Sequence, residues 1–166
     1  MASSNPKFKQ SGEPALLDRS WFLMDSAWND PVWVLRPTNA PEELKPIRLH
    51  WDFALPSGVR FTDGPCASLL HSSRQLIAYI RSRSLSTGLA QRAGTTAGYF
   101  LYLRELVRWM EQADIRRFSD LDSEALLQFQ RALAGRPGVG RAALSQATLQ
   151  KYKYLLIYLY RARGDI

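Results

Sequence analysis

A single cysteine, Cys66, and two histidines, His50 and His71, are all the thiol and imidazole in this chain of 166 residues. One thiol closes no internal disulfide, and Cys66 and His71, five apart, fall short of a zinc-binding pattern. Long apolar runs are missing too, since none approaches the roughly 20 residues that span a bilayer. The opening residues, Met1 to Lys7, lack the apolar core of a secretory signal. These absences lead us to expect a soluble chain in a reducing cytoplasm. The sequence also has no P-loop, GxGxxG turn, HExxH helix or nucleophile elbow. No catalytic centre, metal or cofactor is expected.

What is present is the composition of a globular domain, with 46% hydrophobic and 22% charged residues. The length suits one core of ordinary size with a small appended element. The net charge of +7 is unevenly divided. Residues 1–64 hold 7 Lys/Arg against 8 Asp/Glu, a net −1, and residues 65–166 hold 15 against 7, a net +8. A basic domain of this kind favours polyanions, because each cation that meets a phosphate releases condensed counterions. Plain solubility is the competing explanation of the same charge.

Three regions follow from the patterning. Residues 1–15 are polar, contain Pro6, Gly12 and Pro14, and are expected to be a flexible tail. Residues 16–64 carry four of the five tryptophans and read as a small aromatic-rich β element. Ile47, Leu49, Trp51 and Phe53 alternate with Arg48, His50 and Asp52, which predicts a strand with one apolar face. After the turn signal Leu55-Pro56-Ser57-Gly58, Val59 to Thr62 repeats the alternation and predicts a hairpin, with Val32 to Leu35 available as a third strand. A hairpin alone is marginal in water, so its aromatic face should pack on the remainder of the chain.

Residues 65–166 change to a helical period. A first helix is expected over about 66–83, with Leu69, Leu76, Ile77 and Ile80 as its apolar stripe. Thr95 is placed to cap a second helix reaching Ala113, with Tyr99, Leu103, Leu106 and Met110 inward. Asp122 should cap a third, in which Leu126, Phe129 and Leu133 face the core and Gly135 ends the helix. The glycine-rich stretch from Gly135 to Arg141 reads as a loop. Ser145 should cap a fourth, burying Leu149, Tyr152, Leu156 and Leu159. The fold class is therefore mainly α, a bundle of four or so helices with a small amino-terminal hairpin or three-stranded sheet.

Helical phasing places Gln150, Lys151, Tyr154, Tyr158 and Arg161 away from the buried stripe of the fourth helix. Such a basic, amide and aromatic face suits a nucleic-acid groove, with cations on phosphates and the amide on a base edge. A solvated face is the alternative. On the second helix Arg104 and Arg108 lie opposite the core beside Phe100 and Leu101. Exposed apolar residues on a basic helix suggest a cover, for which the aromatic face of the hairpin is the candidate.

The spacing Thr95-x-x-x-Tyr99-x-x-x-Leu103-x-x-Leu106-x-x-Trp109, the segment Asp120-Leu121-Asp122, and Leu144-Ser145-x-x-Thr148 together resemble the SAM-like core-binding domain of tyrosine recombinases, the phage integrase family. The resemblance covers about residues 66–166, and Leu106 stands where the family usually has Phe. It implies a helical half-clamp on double-stranded DNA. Carried over by position, the contacts are Thr95, Arg104 and Arg108 on the second helix and Thr148, Gln150 and Lys151 on the fourth. Ala97, Phe100 and Leu101 depart from the basic residues common there. The family's catalytic arginine, lysine, His-x-x-Arg and tyrosine have no counterpart in these 166 residues, so the resemblance implies a non-enzymatic, amino-terminal part of a recombinase. It would be monomeric alone and would oligomerise on DNA only through the missing catalytic domain. A helical protein-interaction module, using the same face on an acidic partner, is the alternative.

Overall fold

The computed structural model describes residues 22–37, 46–135, 144–164 and 166. The expected tail at 1–15 and most of the glycine-rich loop at 135–141 lie outside the described residues. The element order is β1 (Val32–Leu35), β2 (Ile47–His50), α1 (Ala67–Ser82), α2 (Ala93–Gln112), α3 (Ser123–Ala134) and α4 (Gln146–Ala162). The fold is mainly α with a small antiparallel sheet, as composition and periodicity indicate.

The sheet is paired differently from the expected hairpin. β2 pairs with the upstream β1, in the register Trp33 opposite Leu49 and Leu35 opposite Ile47. Residues 59–62 form no strand. They close a tight turn through a single Ala54–Arg60 bridge, with Phe61 N–H donating to Phe53 O at 3.0 Å. Leu55 N–H also donates to Val59 O at 2.9 Å, and Gly58 at φ +89° makes the reversal, so these residues form a short hairpin turn without an extended ladder. The alternation itself holds: Leu49, Trp51 and Phe53 are buried, while Arg48 and His50 are exposed.

The aromatic face of this element packs on α2. Phe22, Trp33, Trp51 and Phe100 form a chain of edge contacts with centroids 5.5, 5.0 and 4.8 Å apart. The sheet and the helices share one apolar core. Phe100 is therefore covered as expected, only 3% exposed.

Two arginines fasten the sheet to α1. Arg74 and Arg81, seven residues apart and so on one helical face, are both buried. Arg74 Nη2 donates to Asp30 O at 2.8 Å, and its guanidinium lies 5.7 Å from the Trp51 ring. Arg81 Nη2 donates to Arg36 O at 2.7 Å. They grip the carbonyls just before and just after β1. Burial lowers the pKa of Arg74, and the nearby Asp30 acts against that shift. Two of the cations that make the carboxy-terminal region basic are thus structural.

The helix boundaries follow local chemistry. A short 3-10 turn, Gly64–Cys66, with proline in its first turn leads into α1. α2 begins two residues before the expected cap. Arg92 occupies the N-cap without a side-chain bond, Thr96 Oγ1 donates to Arg92 O at 3.2 Å, and Thr95 lies exposed in the first turn. Asp122 does cap α3, accepting from Ala125 N–H at 2.8 Å, and Gly135 is the residue that ends it. Ser145 caps α4, accepting from Thr148 N–H at 3.2 Å.

Candidate nucleic-acid interface

α4 packs antiparallel on α2 through tyrosines. Tyr99 meets Tyr158 at 5.3 Å and Tyr102 meets Tyr152 at 4.8 Å. Phe129 of α3 closes the other side of Tyr152 at 5.8 Å. The buried face of α4 is Tyr152, Leu155, Tyr158, Leu159 and Ala162. Leu149 and Leu156, expected in that face, are only half-buried. The core stripe is rotated toward Leu155 and Tyr158.

That rotation corrects one assignment and adds three residues. Tyr158 is 2% exposed and does not belong to the outer face. Its hydroxyl oxygen accepts from Leu85 N–H at 3.1 Å and from Gln91 Nε2, which ties the α1–α2 connection to α4. Sequence phasing failed here because a tyrosine buries its ring wherever its hydroxyl finds donors, and those donors come from a distant loop. The outer face instead carries Gln146, Gln150, Lys153, Tyr154, Tyr160 and Arg161, all exposed, with Lys151 exposed at its edge. Gln146, Lys153 and Tyr160 were not expected on this face. A helical wheel centred on Leu155 rather than on Leu156 would have found them.

Electrostatics reinforces the face. The sequence holds no acidic residue between Glu124 and Asp165, whereas seven Lys/Arg fall in that stretch. Among the described residues, Arg108 pairs with Glu105 and Arg116 with Asp114, and neither pair involves α4. Lys151, Lys153 and Arg161 are all exposed, with no carboxylate paired to them among the described residues. Tyr154 stands beside Tyr99, whose hydroxyl is pushed up to about 12, first by burial and then by Tyr158 and Tyr154.

The second helix contributes less than its positions suggest. Arg104 lies 4.9 Å from the Phe53 ring centroid and 6.0 Å from that of Phe100. Its pKa is lowered by burial and by neighbouring Arg108. Arg108 Nε donates to Ala54 O at 3.3 Å, and Nη1 pairs with Glu105 Oε1 at 2.9 Å. Both guanidinium groups are turned to the β element. Thr148 is likewise engaged, its hydroxyl 2.9 Å from Ser145 Oγ within the cap. Thr95 is exposed, and Leu101, 56% exposed, shares the open strip of α2 with Gly94. Of the eight positions singled out in the sequence, Gln150, Lys151, Tyr154 and Arg161 lie together on or beside one face of α4, and Thr95 is exposed on α2.

Cys66 is half-buried and His71 exposed. Among the described residues, no three His, Cys, Asp or Glu side chains gather in a way that could hold a metal ion. No helix of the described residues is long and apolar enough to cross a membrane. No protein-family model, curated protein or solved structure matches the chain.

Proposed function

We propose that the chain is a double-stranded DNA-binding module, with α4 as its principal contact, acting as the amino-terminal, non-catalytic part of a site-specific recombinase in DNA recombination and integration. The observation that carries this reading is the outer face of α4, where Lys153, Arg161 and Lys151 flank Gln150 and Tyr154 with no carboxylate on the helix. Cations and tyrosine hydroxyls contact phosphates and fix position, while an amide can pair with a base edge. The recombinase assignment rests on the spacing of Thr95, Tyr99, Leu103, Trp109, Leu144, Ser145 and Thr148. In this reading the chain alone is monomeric, and in the cell it associates with the nucleoid. The aromatic β element is structural, and it occupies Arg104 and Arg108.

Titration of a labelled duplex tests it. Binding should be micromolar at low salt and should weaken steeply as salt rises. Lys151→Ala should lower affinity on every sequence, whereas Gln150→Ala should act chiefly on the specific site. Failure to bind any duplex at low salt refutes the reading.

A second reading has its own support in exposed apolar groups, with Tyr160 63% and Leu101 56% exposed. These suit a protein-interaction module that places the same face on an acidic partner. Retention by an acidic protein without any affinity for duplex would favour it.

A further inference from the structure

Charge is sorted along the bundle axis. Between Asp63 and Glu105, as between Glu124 and Asp165, the sequence has no acid. The carboxylates of the helical region that the structure describes are Glu105, Glu111, Asp114, Asp120, Asp122 and Glu124, all on the second half of α2, on the α2–α3 connection or in the first turn of α3. Because α4 runs antiparallel to α2, the far end is built from the end of α1, the start of α2 and the end of α4. Exposed there are Arg83, Arg92, Arg161 and Arg163.

The connection that carries this end is firmly held. Gln91 N–H donates to Arg81 O at 2.9 Å and Ser84 N–H to Leu89 O at 2.7 Å, and Gly88 turns the chain at φ +67°. The Tyr158 hydroxyl fixes Leu85 and Gln91 to α4 one turn before Arg161. The guanidinium carbon of Arg163 lies 4.2 Å from the centroid of the Tyr160 ring, and the side chain is exposed. Ser86 and Thr87 add exposed hydroxyls. Exposed cations with adjacent hydroxyl groups, and with no carboxylate beside them among the described residues, suit a phosphate contact.

We propose that this end of the bundle is a second DNA contact, gripping the sugar-phosphate backbone beside the segment that α4 faces, with Arg83 and Arg163 as its phosphate ligands. The proposal rests on the DNA-binding reading of α4 and extends it to a surface that shares Arg161 as its corner. The competing role is local, since cations at helix C-termini also complement the last carbonyls.

Salt-titrated anisotropy with a labelled duplex of arbitrary sequence, on wild type and on the Arg83→Gln, Arg163→Gln pair, separates the two. Two lost phosphate contacts make the slope of log affinity against log salt shallower by about 2. Between about 50 and 200 mM salt the variant then loses roughly tenfold less affinity than wild type. The charge-retaining Arg83→Lys, Arg163→Lys pair keeps the wild-type slope, so the change in the Gln pair reports the lost charge. An unchanged slope in the Gln pair, with or without a lower melting temperature, overturns this contact while leaving the α4 reading intact. Absence of duplex binding by wild type overturns both.

Discussion

The guanidinium carbon of Arg104 lies 4.9 Å from the centroid of the Phe53 ring. A cation that helical phasing assigns to solvent is thereby engaged in joining α2 to the β element. Cation–π contacts of partly covered arginines contribute about 1 kcal/mol. Arg104→Ala should lower stability by about that amount in urea denaturation and leave the salt slope of DNA binding unchanged. A shallower slope would show that Arg104 contacts phosphate after all.

Phe100 is the keystone of the same junction, with Trp51 at 4.8 Å and Phe53 at 6.4 Å. Phe100→Ala should cost about 3–5 kcal/mol, through lost transfer energy and the cavity left behind. Phe100→Asp should unfold the junction, because an unpaired charge would replace a buried ring. Near-ultraviolet circular dichroism of the tryptophans reports the loss. A retained spectrum would mean that the sheet does not depend on α2.

Tyr99 links the fold to pH. Its hydroxyl titrates at about 12 in the folded chain, raised first by burial, against about 10 in an unfolded one. The folded state therefore binds the proton more tightly. The stabilisation is fully present below pH about 10 and is lost as pH rises to about 12. Tyr99→Phe should flatten that alkaline limb in denaturation midpoints measured against pH. An unaltered limb would assign it to other groups, Tyr158 first, whose hydroxyl is also raised by burial.

Much of this architecture is written in local pattern. The caps at Asp122 and Ser145 and the stripe Tyr99, Leu103, Leu106, Met110 depend on spacings within a few turns, and the structure keeps them. What escaped depends on partners far along the chain. Arg74 and Arg81 look like surface cations until the carbonyls of Asp30 and Arg36, more than forty residues away, are brought to them. The same holds for Tyr158 with Leu85 and Gln91. β2 pairs with β1, whose start lies 15 residues upstream, while the adjacent segment keeps only the Ala54–Arg60 bridge and its turn bonds. At the candidate interface, the basic and amide character of α4 was legible, whereas its orientation was not. The core stripe turned toward Leu155, bringing Lys153 outward and Tyr158 inward.

The central claim is that the outer face of α4 holds duplex DNA. Its most direct test is salt-titrated anisotropy of a labelled duplex with wild type and the Lys153→Ala, Arg161→Ala pair, alongside urea denaturation of both. The two proteins should be equally stable, since both side chains are exposed and without ion pairs among the described residues. The variant should show a salt slope shallower by about 2 and an affinity at least roughly tenfold weaker at low salt. Superimposable binding curves from the two proteins would contradict it.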